Sequence, residues 1–252
     1  MQSQFAGRHA LVSGGSRGLG RAVAAALTEA GATVTILGRS EEALQAAVAS
    51  GAAAHHISTD VTKGEECRAA IESAALRHGP IEILVANAGG AESAPFAKSD
   101  EQLFRRMLDL NFMSVVHTAQ AVLDGMLERG FGRIVAVASL AGLRGYAYVS
   151  AYAAAKHATV GLVRSLALEC EGTGVTVNAL CPSYADTDLV RESVARIVKK
   201  TGRAPEDAMK AMLAPSGQER LLAPAEVARA VLDLCNPAMT RNGEAVALEG
   251  RV

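Results

Sequence analysis

Tyr152 and Lys156 stand four residues apart in Ser150-Ala-Tyr152-Ala-Ala-Ala-Lys156. On a helix this spacing puts a phenol and an ammonium on one face. A free phenol titrates near 10, too high to exchange protons at neutral pH. Bringing it to about 7 needs roughly 4 kcal/mol, at about 1.36 kcal/mol per pKa unit. A cation about 5 Å away, at an effective dielectric of about 20, supplies roughly 3 kcal/mol. The pair therefore has the makings of a proton donor and its activator. The same spacing is common on helix surfaces, so its setting has to decide.

A second cluster lies near the N-terminus. An apolar run ends in Ser13-Gly14-Gly15-Ser16-Arg17-Gly18-Leu19-Gly20 and a helix-forming segment follows. Glycines let backbone approach a ligand, and a helix N-terminus offers unpaired N–H groups to a phosphate. The spacing is Gly-x-x-x-Gly-x-Gly rather than Gly-x-Gly-x-x-Gly, so the strand and helix around it carry the nucleotide reading. After the second apolar run, where a carboxylate would meet a ribose 2′-hydroxyl, the chain has Gly38 and then Arg39. Arg17 and Arg39, with no carboxylate, suit a 2′-phosphate, because charge-assisted contacts from guanidinium to phosphate are strong. The expected cofactor is NADP(H), with NAD(H) as the alternative. Asp60 and Val61, after the third run, are placed to meet the adenine; Asp60 is equally placed to cap the next helix.

These residues need a frame to hold them. Short β-branched runs recur at Ala10–Ser13, Thr33–Leu37, Ile81–Ala86, Arg133–Ala138, Val175–Leu180 and Ala245–Leu248, with a weaker one at Ala54–Ser58. Between them, Leu19–Ala30, Glu41–Ser50, Lys63–His78, Asp100–Arg129, Ser150–Glu171 and Pro224–Leu234 carry helical apolar spacing. Strands that are apolar throughout belong in a sheet covered on both faces. The alternation predicts an α/β chain with one doubly wound, Rossmann-type parallel sheet and helices on both faces. No linker divides residues 1–252, so one domain is expected. The stretch between Cys181 and Pro224 breaks the rhythm with about forty residues. It holds Arg191, Arg196, Lys199, Lys200, Arg203 and Lys210 against Glu192, Glu206 and Asp207. Its place at the edge of a parallel sheet predicts a basic lid over about 184–222, inserted before the last helix–strand unit.

Composition excludes other classes. With 25 Lys+Arg against 26 Asp+Glu, the net charge of −1 leaves no electrostatic footprint for nucleic acid. Cys67, Cys170, Cys181 and Cys235 are far apart, with no Cys-x-x-Cys pair. That spacing fits a reducing compartment and neither a disulfide framework nor a metal site. The longest charge-free stretch, Ala43–Thr59, contains Gln45, two serines and His55-His56 and is too polar to span a bilayer. The N-terminal residues lack the apolar run of a signal peptide. A soluble, cytoplasmic protein without membrane attachment is expected.

The order of motifs then becomes specific. The glycine loop is followed by Asn87-Ala88-Gly89, Asn111, Ser139 and Tyr152-x-x-x-Lys156. Together they resemble the classical short-chain dehydrogenase/reductase family over nearly the whole chain. The resemblance implies roles. Tyr152 is the acid in carbonyl reduction and the base in alcohol oxidation. Lys156 depresses its pKa and holds the nicotinamide ribose, and Ser139 bonds the substrate oxygen. Asn111 orders a water linking Lys156 to solvent, and Asn87, Ala88 and Gly89 support the cofactor. Where the family has Pro-Gly-x-x-x-Thr, this chain has Pro182-Ser183-Tyr184-Ala185-Asp186-Thr187. Pro182 and Thr187 keep their cofactor positions, but Ser183 lacks glycine's tolerance of positive φ, which puts the turn in question. The C-terminal Glu249-Gly250-Arg251-Val252 also departs from the usual Asp-Gly-Gly.

The segment Leu189–Leu222 is similar to the lids of hydroxybutyrate and hydroxyacyl dehydrogenases of this family. With Arg144 able to receive a carboxylate or a thioester's phosphates, and Tyr146 and Tyr184 near Ser139, the expected substrate is a 3-oxoacyl or 3-hydroxyacyl compound. A small or cyclic secondary alcohol, or a hydroxy acid, is the alternative. A nucleotide sensor without turnover is the alternative of another class. The resemblance also implies a homo-oligomer, a tetramer or a dimer.

Overall fold

The computed structural model describes residues 4–250. Seven strands form one parallel sheet: β1 (His9–Ser13), β2 (Thr33–Gly38), β3 (His55–Ser58), β4 (Ile81–Ala86), β5 (Gly132–Val137), β6 (Val175–Pro182) and β7 (Ala245–Leu248). Their order is β3-β2-β1-β4-β5-β6-β7. The chain reverses its direction of winding between β1 and β4, which opens a crevice at their C-terminal ends.

Side chains alternate across the pleat and feed two cores. Ala10, Val12, Val34, Ile36, Ile83 and Val85 pack on one face. There they meet Val23 and Leu27 of α1 (Gly18–Glu29), Leu44 of α2 (Glu41–Ala49), and Val227 and Val231 of α9 (Pro224–Cys235). On the other face Leu11, Leu37, Leu84 and Ile134 pack against Ile71 of α3 (Gly64–His78), Met126 of α5 (Ser114–Arg129) and Val163 of α6 (Ser150–Glu169). Both faces are thus covered, as the uninterrupted apolar strands required. All four cysteines are buried and free, and no helix among the described residues is long and apolar enough to cross a membrane.

The helix expected over Asp100–Arg129 is interrupted. It runs as α4 (Glu101–Leu108), a π turn at Asp109–Met113, then α5. A π turn loosens the carbonyl ladder, and side chains take up the freed acceptors. The Thr159 hydroxyl donates to the Asn111 carbonyl at 2.8 Å and the Ser114 hydroxyl to that of Leu110 at 2.7 Å.

Residues after β6 form α7 (Asp188–Thr201) and α8 (Pro205–Leu213). The excursion closes on itself: Leu222 N donates to Tyr184 O at 3.0 Å and Asp186 N to Leu222 O at 2.9 Å. At its base, Gln218 Oε1 accepts from Tyr184 N, while Nε2 donates to the carbonyls of Tyr184 and Arg220. The turn at Ser183 needs no glycine, since Tyr148 is the single non-glycine residue of positive φ among the described residues. Ser183 N donates to Leu248 O at 2.9 Å, and its hydroxyl accepts from Gly250 N at 3.3 Å. The side chain so gained ties the turn to the C-terminal tail. Arg251 and Val252 lie outside the described residues.

Candidate active site

A cleft of about 650 Å³ runs along the C-terminal ends of the strands, from the glycine loop to α7 and α8. At one end, the Ser13 hydroxyl accepts from both Asn87 N and Ala88 N at 3.0 Å. Asn87 Nδ2 donates back to Ser13 O at 2.9 Å. This exchange locks the end of β1 to the end of β4 and sets the width of the crevice. Gly20 has to be glycine, because a methyl there would collide with the Gly14 carbonyl. Gly14, at φ +65°, lies with backbone against Ala88.

The residues present fit a dinucleotide phosphate. Arg17 precedes α1 in extended conformation, no side chain caps that helix, and its first turn holds no acid. Its orphan N–H groups and dipole therefore face the cleft uncompensated. Arg39 lines the same end, and neither Arg17 nor Arg39 enters an ion pair among the described residues. Asp60 accepts from Thr62 N at 3.0 Å and from the Thr62 hydroxyl at 2.8 Å. Burial works to raise its pKa; the Thr62 bonds and the charges of Arg39 and Lys63 outweigh that and lower it. Asp60 is thus a turn cap that also borders the cleft. Every residue expected to hold the dinucleotide, from Gly14 and Ser16 through Leu19, Val61 and Gly89 to Pro182 and Thr187, lines this one cleft.

Toward its other end the cleft collects Asn111 from the π turn, Ser139 after β5, and Tyr152 and Lys156 from α6. Lys156 is 3% exposed. Its Nζ donates to Val137 O at 2.8 Å and lies 5.8 Å from the centre of the Tyr152 ring. Asn111 is fully buried. Its Nδ2 donates to Gly90 O and Met107 O, and its Oδ1 accepts from Gly90 N. A methyl at Gly89 would stand 2.9 Å from Asn111 Oδ1 and 3.5 Å from Lys156 Nζ, so glycine keeps open the space where these two groups converge. The Ser139 hydroxyl accepts from Ala141 N at 3.1 Å and is bonded to the Tyr152 phenol.

The electrostatics differ from the arithmetic of an isolated pair. Burial pushes the Tyr152 phenol up to about 12, against the opposing effect of its bond with Ser139. Burial likewise pushes Lys156 down to about 8. The expected lowering of the phenol by Lys156 is absent: desolvation outweighs a cation that is anchored on the Val137 carbonyl. In this state Tyr152 keeps its proton throughout the neutral range and is loaded as an acid, and Lys156 is poised to gain or lose one.

Of the residues expected around the substrate, Ser139, Tyr146 and Tyr184 line the cleft and Arg144 does not. Arg144 Nε donates to the Tyr146 hydroxyl at 2.8 Å, and Nη2 to Ser216 O at 3.0 Å and Glu249 Oε1 at 3.5 Å. It latches the loop after β5 to the inserted segment rather than presenting itself to a ligand. Lys199 and Lys200, in the last turn of α7, also lie off the cleft. Sequence reasoning missed the backbone and hydroxyl partners of the site: Val137 O, both polar atoms of Gly90, and Thr159. It also missed Gly142, where a methyl would stand 2.7 Å from Lys156 O.

Comparison with known proteins agrees with this geometry. Residues 8–197 match the family model of short chain dehydrogenases. Cis-4-hydroxycyclohexanecarboxylate dehydrogenase of Sinomonas cyclohexanicum is 37% identical over 94% of this chain and 93% of its own. An acetoacetyl-CoA reductase of Paracoccus denitrificans is 34% identical over 90% of each. The crystal structure of an actinorhodin polyketide ketoreductase with NADPH superposes with a TM-score of 0.91, at 32% identity, covering 99% of this chain and 98% of that one. The chain belongs to the short-chain dehydrogenase family, the nicotinamide-dependent oxidoreductases of CH–OH and ketone groups.

Proposed function

We propose that the chain is an NADPH-dependent reductase of 3-oxoacyl-type ketones. The observation that carries the reading is the convergence of Asn111, Ser139, Tyr152 and Lys156 in the same cleft as the glycine loop. The nicotinamide, when bound, supplies the hydride that reaches the carbonyl carbon. Tyr152 donates its proton to the carbonyl oxygen, and Ser139 bonds that oxygen as charge develops on it. Hydride and proton together convert C=O to CH–OH. Lys156 stabilises the tyrosinate left behind and, with Asn111, restores its proton. Arg17, Arg39 and the open N-terminus of α1 would hold the phosphates, with the 2′-phosphate on the two guanidiniums. The segment of α7 and α8 acts as a lid. The relatives that reduce acetoacetyl-CoA and polyketides support the substrate class.

Exposed Leu127 on α5 and Leu168 on α6 favour assembly with a second copy along these helices. The free, buried cysteines fit a cytoplasmic setting.

The cofactor assignment has its own test. Arg39→Asp removes a cation and adds a carboxylate where a 2′-phosphate would lie. The ratio of kcat/KM for NADPH over NADH is expected to fall by about 30-fold or more, roughly 2 kcal/mol. An unchanged ratio contradicts the role of Arg39. The reaction itself is tested by following NADPH consumption with 3-oxoacyl esters, cyclic ketones and their alcohols.

A further inference from the structure

The π turn that carries Asn111 is gripped from α6 by a side chain that does not line the cleft. We infer that Thr159 is a positioning residue for proton return to Tyr152: its hydroxyl holds the Asn111 carbonyl and so sets Asn111 against Lys156. This rests on the ketone-reductase reading above.

Thr159 is fully buried. It follows Lys156 by three residues, so the two side chains stand on one face of α6. Its Oγ1 lies 2.8 Å from Asn111 O and 3.1 Å from Ala155 O. A hydroxyl has one proton to give. Ala155 O already faces the Thr159 backbone N–H across one turn of α-helix. Asn111 O sits on a π turn, where the ladder is loosened. The proton therefore belongs on Asn111 O. Among the described residues this is the single hydrogen bond that joins α6 to the turn.

The Asn111 amide is fixed to other neighbours, Gly90 after β4 and Met107 on α4. Neither belongs to α6, where Lys156 stands. Thr159 supplies that missing reference. The interval matters because one point beside Gly89 lies 2.9 Å from Asn111 Oδ1 and 3.5 Å from Lys156 Nζ. Each reduction takes a proton from the Tyr152 oxygen. Lys156 returns one from its ammonium, and water replaces it on the amine, so charge and protons balance over the cycle. Without the Thr159 hydroxyl, a carbonyl in the interior loses a donor and the turn has to readjust. Asn111 then moves relative to Lys156. Proton return slows, while the surfaces that bind ketone and nucleotide stay in place.

The test uses the purified protein with NADPH and ethyl 3-oxobutyrate. Thr159→Val keeps the shape and removes the hydroxyl, Thr159→Ala removes both, and Thr159→Ser keeps the hydroxyl. The Val and Ala variants are expected to lower kcat by about tenfold, with kcat/KM for the ketone within about twofold of the parent, because proton return follows capture of the ketone. Thr159→Ser should stay within about twofold of the parent in both. In the Val and Ala variants the solvent deuterium isotope effect on kcat should rise, and the effect of deuterium at the transferred C4 position of NADPH should fall. Ser114→Ala deletes a 2.7 Å bond of the same turn, to Leu110 O, and should change neither isotope effect. An unchanged kcat in the Val or Ala variant overturns the proposal. So does a kcat that falls together with kcat/KM at unaltered isotope effects, which would make Thr159 a packing residue only, and so does an equal shift in Ser114→Ala. If the parent protein oxidises no NADPH with any ketone, the reductase reading itself falls and the role of Thr159 falls with it.

Discussion

Tyr152→Phe is expected to lower kcat for ketone reduction by about 10³-fold while cofactor affinity stays within about fivefold of the parent protein. The substitution removes one oxygen. The ring keeps its place on α6, and the Ser139 hydroxyl keeps its bond from Ala141 N. What disappears is the proton that burial holds on the phenol up to a pKa of about 12. With no donor in reach, the developing alkoxide has to be stabilised by Ser139 alone. Steady-state rates with NADPH, together with quenching of protein-bound NADPH fluorescence for affinity, read the two effects separately. Residual kcat above a tenth of the parent value would remove Tyr152 from the proton-transfer step.

Lys156→Met should cost about as much activity and act on stability in the opposite sense. Burial lowers Lys156 from its ordinary 10.5 to about 8. Below about 8 the ammonium is charged in both folded and unfolded chains, and the folded state bears the full cost of enclosing it. Between about 8 and 10.5 the unfolded chain binds more protons than the folded one, so this group makes stability rise with pH across that window. Thermal midpoints of the parent protein should therefore gain on those of Lys156→Met from pH 8 to 10.5. A difference constant across the window would contradict a depressed Lys156. Ketone reduction should show the same ionisation, falling as pH rises through about 8, well before the phenol titrates. Lys156→Arg should move that alkaline limb upward.

Much of this site could be read from residue types. Strand ends and helix starts follow from apolar runs and glycines, so Gly14, Arg17, Arg39, Asn87, Ser139, Tyr152 and Lys156 could be placed on one edge of one sheet before any fold was seen. What stayed hidden depends on non-local backbone. Nothing in Asp100–Arg129 marks a π turn, because its stabilising bonds involve the hydroxyl of Thr159 on α6 and the carbonyl of Met107 on α4, a group every residue carries. The partner of Lys156 is the Val137 carbonyl, a group every residue owns. Arg144 was misplaced for a related reason: an arginine between Ser139 and Tyr152 looks available, yet Tyr146, Ser216 and Glu249 converge on it from three separate parts of the chain. The phenol's pKa was misjudged because pair arithmetic contains Coulomb attraction but not the desolvation of an enclosed oxygen.

Transfer of label measures the proposed reaction without an intervening step. The protein is incubated with ethyl 3-oxobutyrate and NADPH deuterated at C4, using each of the two C4 epimers, and the alcohol is analysed by mass spectrometry and NMR. One epimer should give an alcohol with a single deuterium on the carbinol carbon, in amount equal to the NADP formed, and Tyr152→Phe should nearly abolish it. Bound NADPH with no deuterated alcohol from either epimer would contradict hydride transfer at this site and leave the cleft a nucleotide-binding one.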